Sequence, residues 1–303
     1  MSNALTAVLV GALALTHLAA ESGGRGPGRT SSFRVVTDST ADVPAEWIER
    51  YGIRVVPLTV LFGQEAFRDR IDLNDEQFFG RLRAAERLPT TSAPSPGAFA
   101  EVFERLSGEC DGVISIHIGR TLSSTVEAAR LGAAGLNGFP VHVIDSGSVT
   151  MTVGFLAQVA AEAPDLEKAL QRVRERLGRQ KVLALLDTLR YIEMGGRVSR
   201  AQAMLGTMLD LKPILSLRGG EIKSVDRVRT RGKALTRLVQ LLKQDLPLER
   251  LAVMHAQAPT EAERLRVELA AELPQVEVVI GQIGCVLATH TGPGAVGFAY
   301  LTA

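Results

Sequence analysis

From residue 33 onward, short apolar runs alternate with longer segments whose apolar positions recur at helical spacing. Val113-Ile114-Ser115-Ile116-His117-Ile118 is the clearest run and reads as a buried strand. Gly119 ends it, and Thr121, Ser123 or Ser124 can cap the helix that residues 126–131 continue. Residues 33–37 predict an opening strand that turns at Asp38-Ser39-Thr40-Ala41-Asp42. Pro44 suits the first turn of a helix running to about Tyr51. Residues 53–62 predict one strand, with Pro57 marking an edge or a bulge. Asp72 or Asn74 can cap a helix carrying Phe78, Phe79, Leu82 and Leu88. Residues 89–96 read as a loop, closed by Ser95 as N-cap and Pro96 as the first residue of the next helix. A strand over 141–145 is followed by an apolar helix over about 149–163 and a second helix starting at Pro164-Asp165. Strand and helix in alternation predict a parallel sheet with helices on both faces.

After residue 160 the pattern changes. Strands over 181–186, 213–217, 221–228, 251–255, 276–280, 285–289 and 296–301 mix with helices over 188–197, from Ser199, over 232–244 and over 259–273. Arg218-Gly219-Gly220 between two strands predicts a hairpin. The expected fold is therefore of the α/β class. An α/β domain with a parallel sheet covers 33–160, an α+β domain covers 161–303, and a ligand cleft lies between them. No internal repeat is visible.

Residues 1–32 stand outside this pattern. An apolar stretch over 4–20 leads into Gly23-Gly24-Arg25-Gly26-Pro27-Gly28. It lacks the basic start of a secretory signal and is short for a bilayer span, so it reads as an accessory helix or an overextended start. A secretory signal is the minority reading.

Hydrophobic residues make up 46% of the 303 and charged ones 22%, which is globular material. A net charge of +1 gives no electrostatic case for nucleic acid. Two cysteines, Cys110 and Cys285, carry neither CxxC nor metal-ligand spacing, which fits a reducing compartment and a cytoplasmic protein.

Four hydroxyl-rich stations stand where turns follow strands or precede helices: 37–40, 90–92, 121–125 and 289–291. Each alone reads as a cap or turn. Together they suggest a shared polar cleft. No GxSxG elbow, HExxH, Walker loop or GxGxxG accompanies them, so no catalytic residue is expected. His117, His142 and His255 fall in or at the ends of predicted strands and read as packing residues. His290 is flanked by threonines and glycines, which leave its ring room to meet a ligand. Arg197 follows a glycine pair, and its planar fork suits a phosphate or carboxylate. Arg227, Arg229 and Arg231 precede a helix and read as solvated charge.

Taken together these residues resemble the DegV family of bacterial fatty-acid-binding proteins. The matching pieces are Val36-Thr37-Asp38-Ser39-Thr40-Ala41-Asp42, Pro89-Thr90-Thr91-Ser92-Ala93-Pro94-Ser95-Pro96 and Leu122-Ser123-Ser124-Thr125. They continue with Gly195-Gly196-Arg197-Val198-Ser199, Lys212-Pro213-Ile214-Leu215, Val228-Arg229-Thr230 and His290-Thr291-Gly292-Pro293-Gly294. The resemblance implies the same two-domain fold and a non-enzymatic carrier of one long-chain fatty acid such as palmitate, stearate or oleate. It implies no cofactor and no metal, and it makes a fatty acid kinase the partner. By position, Thr90, Ser123 and His290 would hold the carboxylate, with Arg197 and Arg229 nearer the kinase or phosphate side. Transient contact with a membrane surface is compatible with such a carrier. The chain departs from the family pattern at Gly119-Arg120, where serines are usual, and at Ser124, where a glycine is usual. Arg120 either adds a cation near the carboxylate or faces solvent. Two other readings stay open. One is a hydrolase with Ser123 as nucleophile, His290 as base and Asp38 or Asp145 orienting the ring. The other is a relative of the same fold type that binds a small polyol.

Overall fold

The first strand, β1 (Phe33–Asp38), runs into a single 3-10 turn at Ser39–Ala41. Pro44 then precedes α1 (Ala45–Tyr51), and β2 (Arg54–Val56) returns parallel to β1. The single strand expected over 53–62 is split at Pro57. Pro57 has no N–H to donate, and the N–H of Leu58 goes to Ser39 Oγ at 3.1 Å instead of into a ladder. The chain therefore leaves the first sheet and builds another. There β3 (Thr59–Phe62) pairs with β4 (Glu65–Arg68) on one side and with β5 (Thr90–Ser92) on the other, both antiparallel. Between them lies α2 (Asp75–Ala84), started by a capping box of Asn74 and Gln77. Residues 89–96, expected as loop, thus contain a strand. Its three residues, Thr-Thr-Ser, offer no apolar alternation that would betray it.

Next come α3 (Pro96–Ser107), with Ser95 Oγ accepting the N–H of Ala98, β6 (Gly112–His117) and α4 (Thr125–Ala133). Every residue of β6 is buried. Ser124 stands at the N-cap of α4, but its side chain makes no capping bond. The four-stranded sheet, order β2-β1-β6-β7, is completed by β7 (Val141–Asp145) and is parallel throughout. Two helices follow, α5 (Met151–Ala161) and α6 (Leu166–Arg174), the second capped by Asp165.

The remainder builds a mixed sheet from β8 (Gln180–Leu185), then, after α7 (Arg190–Met194), β9 (Lys212–Arg218) and β10 (Glu221–Val228). It continues through α8 (Arg231–Lys243), β11 (Leu248–His255), α9 (Pro259–Glu272), β12 (Val278–Gln282), α10 (Cys285–Thr291) and β13 (Val296–Thr302). The strand order is β10-β9-β8-β13-β11-β12, and only β11 and β12 pair in parallel. The hairpin turns at Gly219-Gly220, as its sequence predicts. The expected strand over 285–289 is a helix instead. Cys285, Val286, Ala288 and Thr289 are buried at helical spacing, and an apolar run this short does not distinguish strand from buried helix.

The structure is a computed structural model, and it describes residues 32–196 and 211–303. The expected helix from Ser199 and the apolar stretch over 4–20 lie outside the described residues. Within them, the α/β class, the N-terminal parallel sheet and the C-terminal mixed sheet stand as the sequence predicts. No described helix is long and apolar enough to cross a membrane.

Candidate functional site

The two faces of the mixed sheet are used differently, and the alternation along β8 shows how. Leu183 and Leu185 point into a core with Leu238 and Leu242 of α8 and Leu265 of α9. Val182 and Ala184, on the other face, line a cavity of about 330 Å³. Leu215 and Leu217 of β9 and Ile222 of β10 extend that wall. Opposite stand Leu58, Thr91 and Ser92 from the three-stranded region, and Ile118, Leu122 and Ser123 from the loop after β6. Ile192 of α7 and Val286, Leu287 and His290 of α10 close it.

Each polar group is held by its own piece of fold. Asp38, fully buried, accepts the N–H groups of Thr40 and Ile118 at 3.0 Å each and contacts His117 Nδ1 at 3.0 Å. This fixes where β6 hands over to the loop. A Cβ on Gly119 would stand about 3.0 Å from the Gly147 backbone, so any larger residue would press this loop against the neighbouring turn. Thr121 Oγ1 then donates to the Gly220 carbonyl at 2.7 Å, tying the loop to the β9–β10 hairpin. Ser123 Oγ lies 2.8 Å from Thr125 Oγ1, in shared hydrogen-bond contact.

His290 is placed by the start of its own helix. Asp42 Oδ1 accepts the N–H of Gly284 at 2.9 Å, and Asp69 Oδ1 accepts that of Cys285 at 2.9 Å. Arg70 Nη2 donates to Asp42 at 2.6 Å and to the Gln282 carbonyl at 2.8 Å, and Thr150 Oγ1 donates to Asp42 at 2.6 Å. At the far end of α10, His290 Nε2 and Thr91 Oγ1 share a hydrogen bond of 3.1 Å. Gly195 packs directly against the imidazole, so close that a Cβ there would collide with Nδ1.

Of the predicted head-group residues, Ser123 and His290 line one cavity and Thr90 does not. Its neighbour Thr91 does. It pairs with Val60, which is fully buried, so it faces inward, whereas Thr90 pairs with Leu61 and is exposed. The strand parity of β5 was the missing signal, since the sequence shows no strand there. Arg229 is exposed just past β10 and is not part of the cavity wall, and Arg197 lies outside the described residues. Arg120, 69% exposed, pairs with Asp145 at 3.4 Å and faces solvent. Ser124 does line the cavity. Sequence reasoning missed the carboxylates Asp42 and Asp69, whose partners stand more than 200 residues away.

The hydrolase constellation does not assemble around His290. Asp38 is committed to His117, and Asp145 Oδ1 accepts the N–H groups of Arg120 and Gly147. No group able to hold a metal ion is found among the described residues.

The DegV family, described as an uncharacterised protein family, matches residues 32–303. The chain belongs to the DegV family. Protein DegV of Bacillus subtilis is 36% identical over 278 residues, which are 89% of this chain and 99% of that protein. A solved DegV family protein from Thermus thermophilus, described by its fatty acid binding, superposes with a TM-score of 0.83 at 33% identity, over 89% of this chain and 99% of that one. The crystal structure of Bacillus subtilis DegV, described as a fatty acid binding protein, gives 0.82 at 34% identity, over 91% and 100% of the two chains.

The clamp on α10 makes a prediction. Burial raises the Asp42 carboxyl above its usual range and brings that of Asp69 up to about 6, with the charge of Arg70 opposing both. An acid whose folded pKa exceeds its unfolded one holds its proton more tightly when folded, so its contribution to stability rises as pH falls through about 6. Asp69→Asn lacks that titration. Between about pH 7.5 and pH 5 the native chain should gain on the order of 1–2 kcal/mol over Asp69→Asn in denaturant unfolding. Parallel pH profiles for the two proteins would mean that Asp69 does not titrate there.

Proposed function

We propose that this DegV family member is a non-catalytic carrier enclosing one long-chain fatty acid, in the cleft between residues 33–160 and 161–303. The observation that carries the reading is a void of about 330 Å³ with largely aliphatic walls and hydroxyl and imidazole groups from three separate segments. Its volume falls within the roughly 300–1,000 Å³ of small-molecule sites. Each acyl methylene it buries contributes about 0.8 kcal/mol, so the chain supplies the affinity. The carboxylate supplies orientation, because leaving it without donors in such a site is costly. Thr91, Ser123 and His290 are the donors of this reading, and the fatty acid binding of the Thermus and Bacillus relatives supports it. A small polyol needs hydrogen-bond partners all round, which walls such as Val182, Ala184 and Leu215 do not offer.

From this site the carrier presents the carboxylate to a fatty acid kinase in the cytoplasm. The exposure of Arg229 outside the cavity wall supports a place for it on the partner's side, with Arg197.

Protein purified from a bacterial host should release close to one fatty acid per chain on denaturing extraction and mass spectrometry. Ala184→Phe fills the void and should abolish that load while the protein still unfolds cooperatively. Lipid-free native protein that also takes up no oleate would overturn the reading. Thr91→Ala, Ser123→Ala and His290→Ala should each weaken oleate binding by about 1.5–3 kcal/mol in titration calorimetry, and Thr90→Ala should not. Unchanged affinity in all three would place the carboxylate elsewhere. Arg229→Ala should keep its lipid load and slow phosphorylation by the cognate kinase. Equal turnover would remove Arg229 from the partner surface.

A further inference from the structure

A second cavity, of about 90 Å³, adjoins the first and shares Val149, Val182, Ala184, Leu287 and Thr291 with it. Apart from Thr150, His255 and Thr291 its wall residues are apolar, and Thr150 spends its hydroxyl on Asp42. The two cavities meet over β8 and part in opposite directions across the sheet. The first reaches β9 and β10 through Leu215, Leu217 and Ile222, and the second reaches β13 and β11 through Gly297 and Met254.

The register of the sheet explains why space remains on that side. Ala184 of β8, Gly297 of β13, Met254 of β11 and Gly281 of β12 are successive cross-strand partners, so they stand in one row on one face. Ala184 and Gly297 leave the row almost without side chains. At Gly297 none fits, because a Cβ there would collide with the Leu183 carbonyl. From β8 to β11 the row spans two strand spacings, about 10 Å. Met254 then fills it. Its thioether lies over Gly281, with Sδ 3.0 Å and Cε 2.9 Å from where a Cβ would stand, and the residue is buried. At the opposite end of the first cavity, Ile222 beside the hairpin is only half-buried.

We propose that the bound fatty acid runs from Thr91, Ser123 and His290 across Ala184 and Gly297 and ends against Met254, which thereby sets the longest chain accepted. This rests on the carrier reading and gives it a direction and a length limit. A methyl end needs no hydrogen-bond partner and gains from every apolar contact, so a buried trough of small residues suits it better than the half-buried β10 end. The unbranched thioether of Met254 is a soft stop, since it adapts to the end of the chain where a branched side chain would not.

The test incubates the full chain with an excess of an equimolar mixture of even-numbered saturated acids, from lauric to arachidic, and identifies the bound acid by mass spectrometry after denaturation. Met254→Ala extends the trough to Gly281 and should raise the bound ratio of the next longer acid to the native favourite at least about fivefold. Gly281→Val pushes the thioether back over the trough and should shift the ratio toward the next shorter acid by at least about the same factor. Ile222→Trp narrows the β10 end and should leave the preference as it is. A full load with unshifted preference in both Met254→Ala and Gly281→Val would overturn the assignment, as would a shortened preference in Ile222→Trp. Equal loss of every chain length in Met254→Ala would mark a packing role and overturn it too. A native chain that takes up none of the acids overturns the carrier reading itself, which keeps the two failures apart.

Discussion

The helix that carries His290 to the cavity hangs on two buried carboxylates that cap it, because it is too short to stand alone. Helix α10 has seven residues, well below the length at which an isolated helix persists in water. Its first N–H groups are taken by Asp42 and Asp69, which also place negative charge where the helix dipole favours it. Both come from the N-terminal part of the chain, so the helix that carries His290 is docked by residues of the other half. Arg70 makes the arrangement tolerable, because two carboxylates this deeply buried would repel one another without a cation between them. The raised pKa values of both acids record the cost that remains.

The same division of labour explains how the fold keeps a void without collapsing into it. On one face of the mixed sheet, Leu183, Leu185 and Phe298 are packed under α8 and α9 with almost no exposure. That face supplies burial of roughly 1.5–3 kcal/mol for each large side chain. Val182 and Ala184, facing the cavity from the same strand, are only half-buried. An unfilled apolar space forfeits contacts on one side, and the proposed acyl ligand would restore them. The packed core sits on one face of the sheet and the cavity on the other.

How much of this was legible follows from how local each signal is. The parallel sheet was readable because its strands are apolar and its helices carry local caps such as Ser95 and Asp165. The change to a mixed sheet was readable from the Gly219-Gly220 hairpin. The run at 285–289 was misread because Cys-Val-Leu-Ala-Thr suits either structure locally, and what decides for helix is the pair of distant carboxylates. That Thr91 and not Thr90 lines the cavity was hidden for a related reason. Which of two adjacent threonines faces inward depends on the pairing of β5 with Val60, a contact across the sheet. The hydroxyl stations at 90–92, 121–125 and 289–291 did meet in one cavity. The station at 37–40 instead supports it from behind, through Ser39 and Asp38.

That last station also belongs to a polar chain that lies away from the cavity. The chain does contain a serine, histidine and aspartate in hydrogen-bond sequence: Ser115 Oγ is 2.7 Å from His117 Nε2, whose Nδ1 is 3.0 Å from Asp38. All three are fully buried inside the parallel sheet, where no substrate carbonyl can reach the hydroxyl. Their work is positional, since the same Asp38 carboxylate receives the Ile118 N–H and so aims the loop that carries Ser123. In the cavity itself, Ser123 is engaged with Thr125 and His290 with Thr91. On the proposed reading, hydroxyls and an imidazole paired in this way share protons with the carboxylate. A nucleophile needs a base within reach and donors aimed at a developing oxyanion. Among the described residues, neither Asp38 nor Asp145 is placed to orient His290 as such a base.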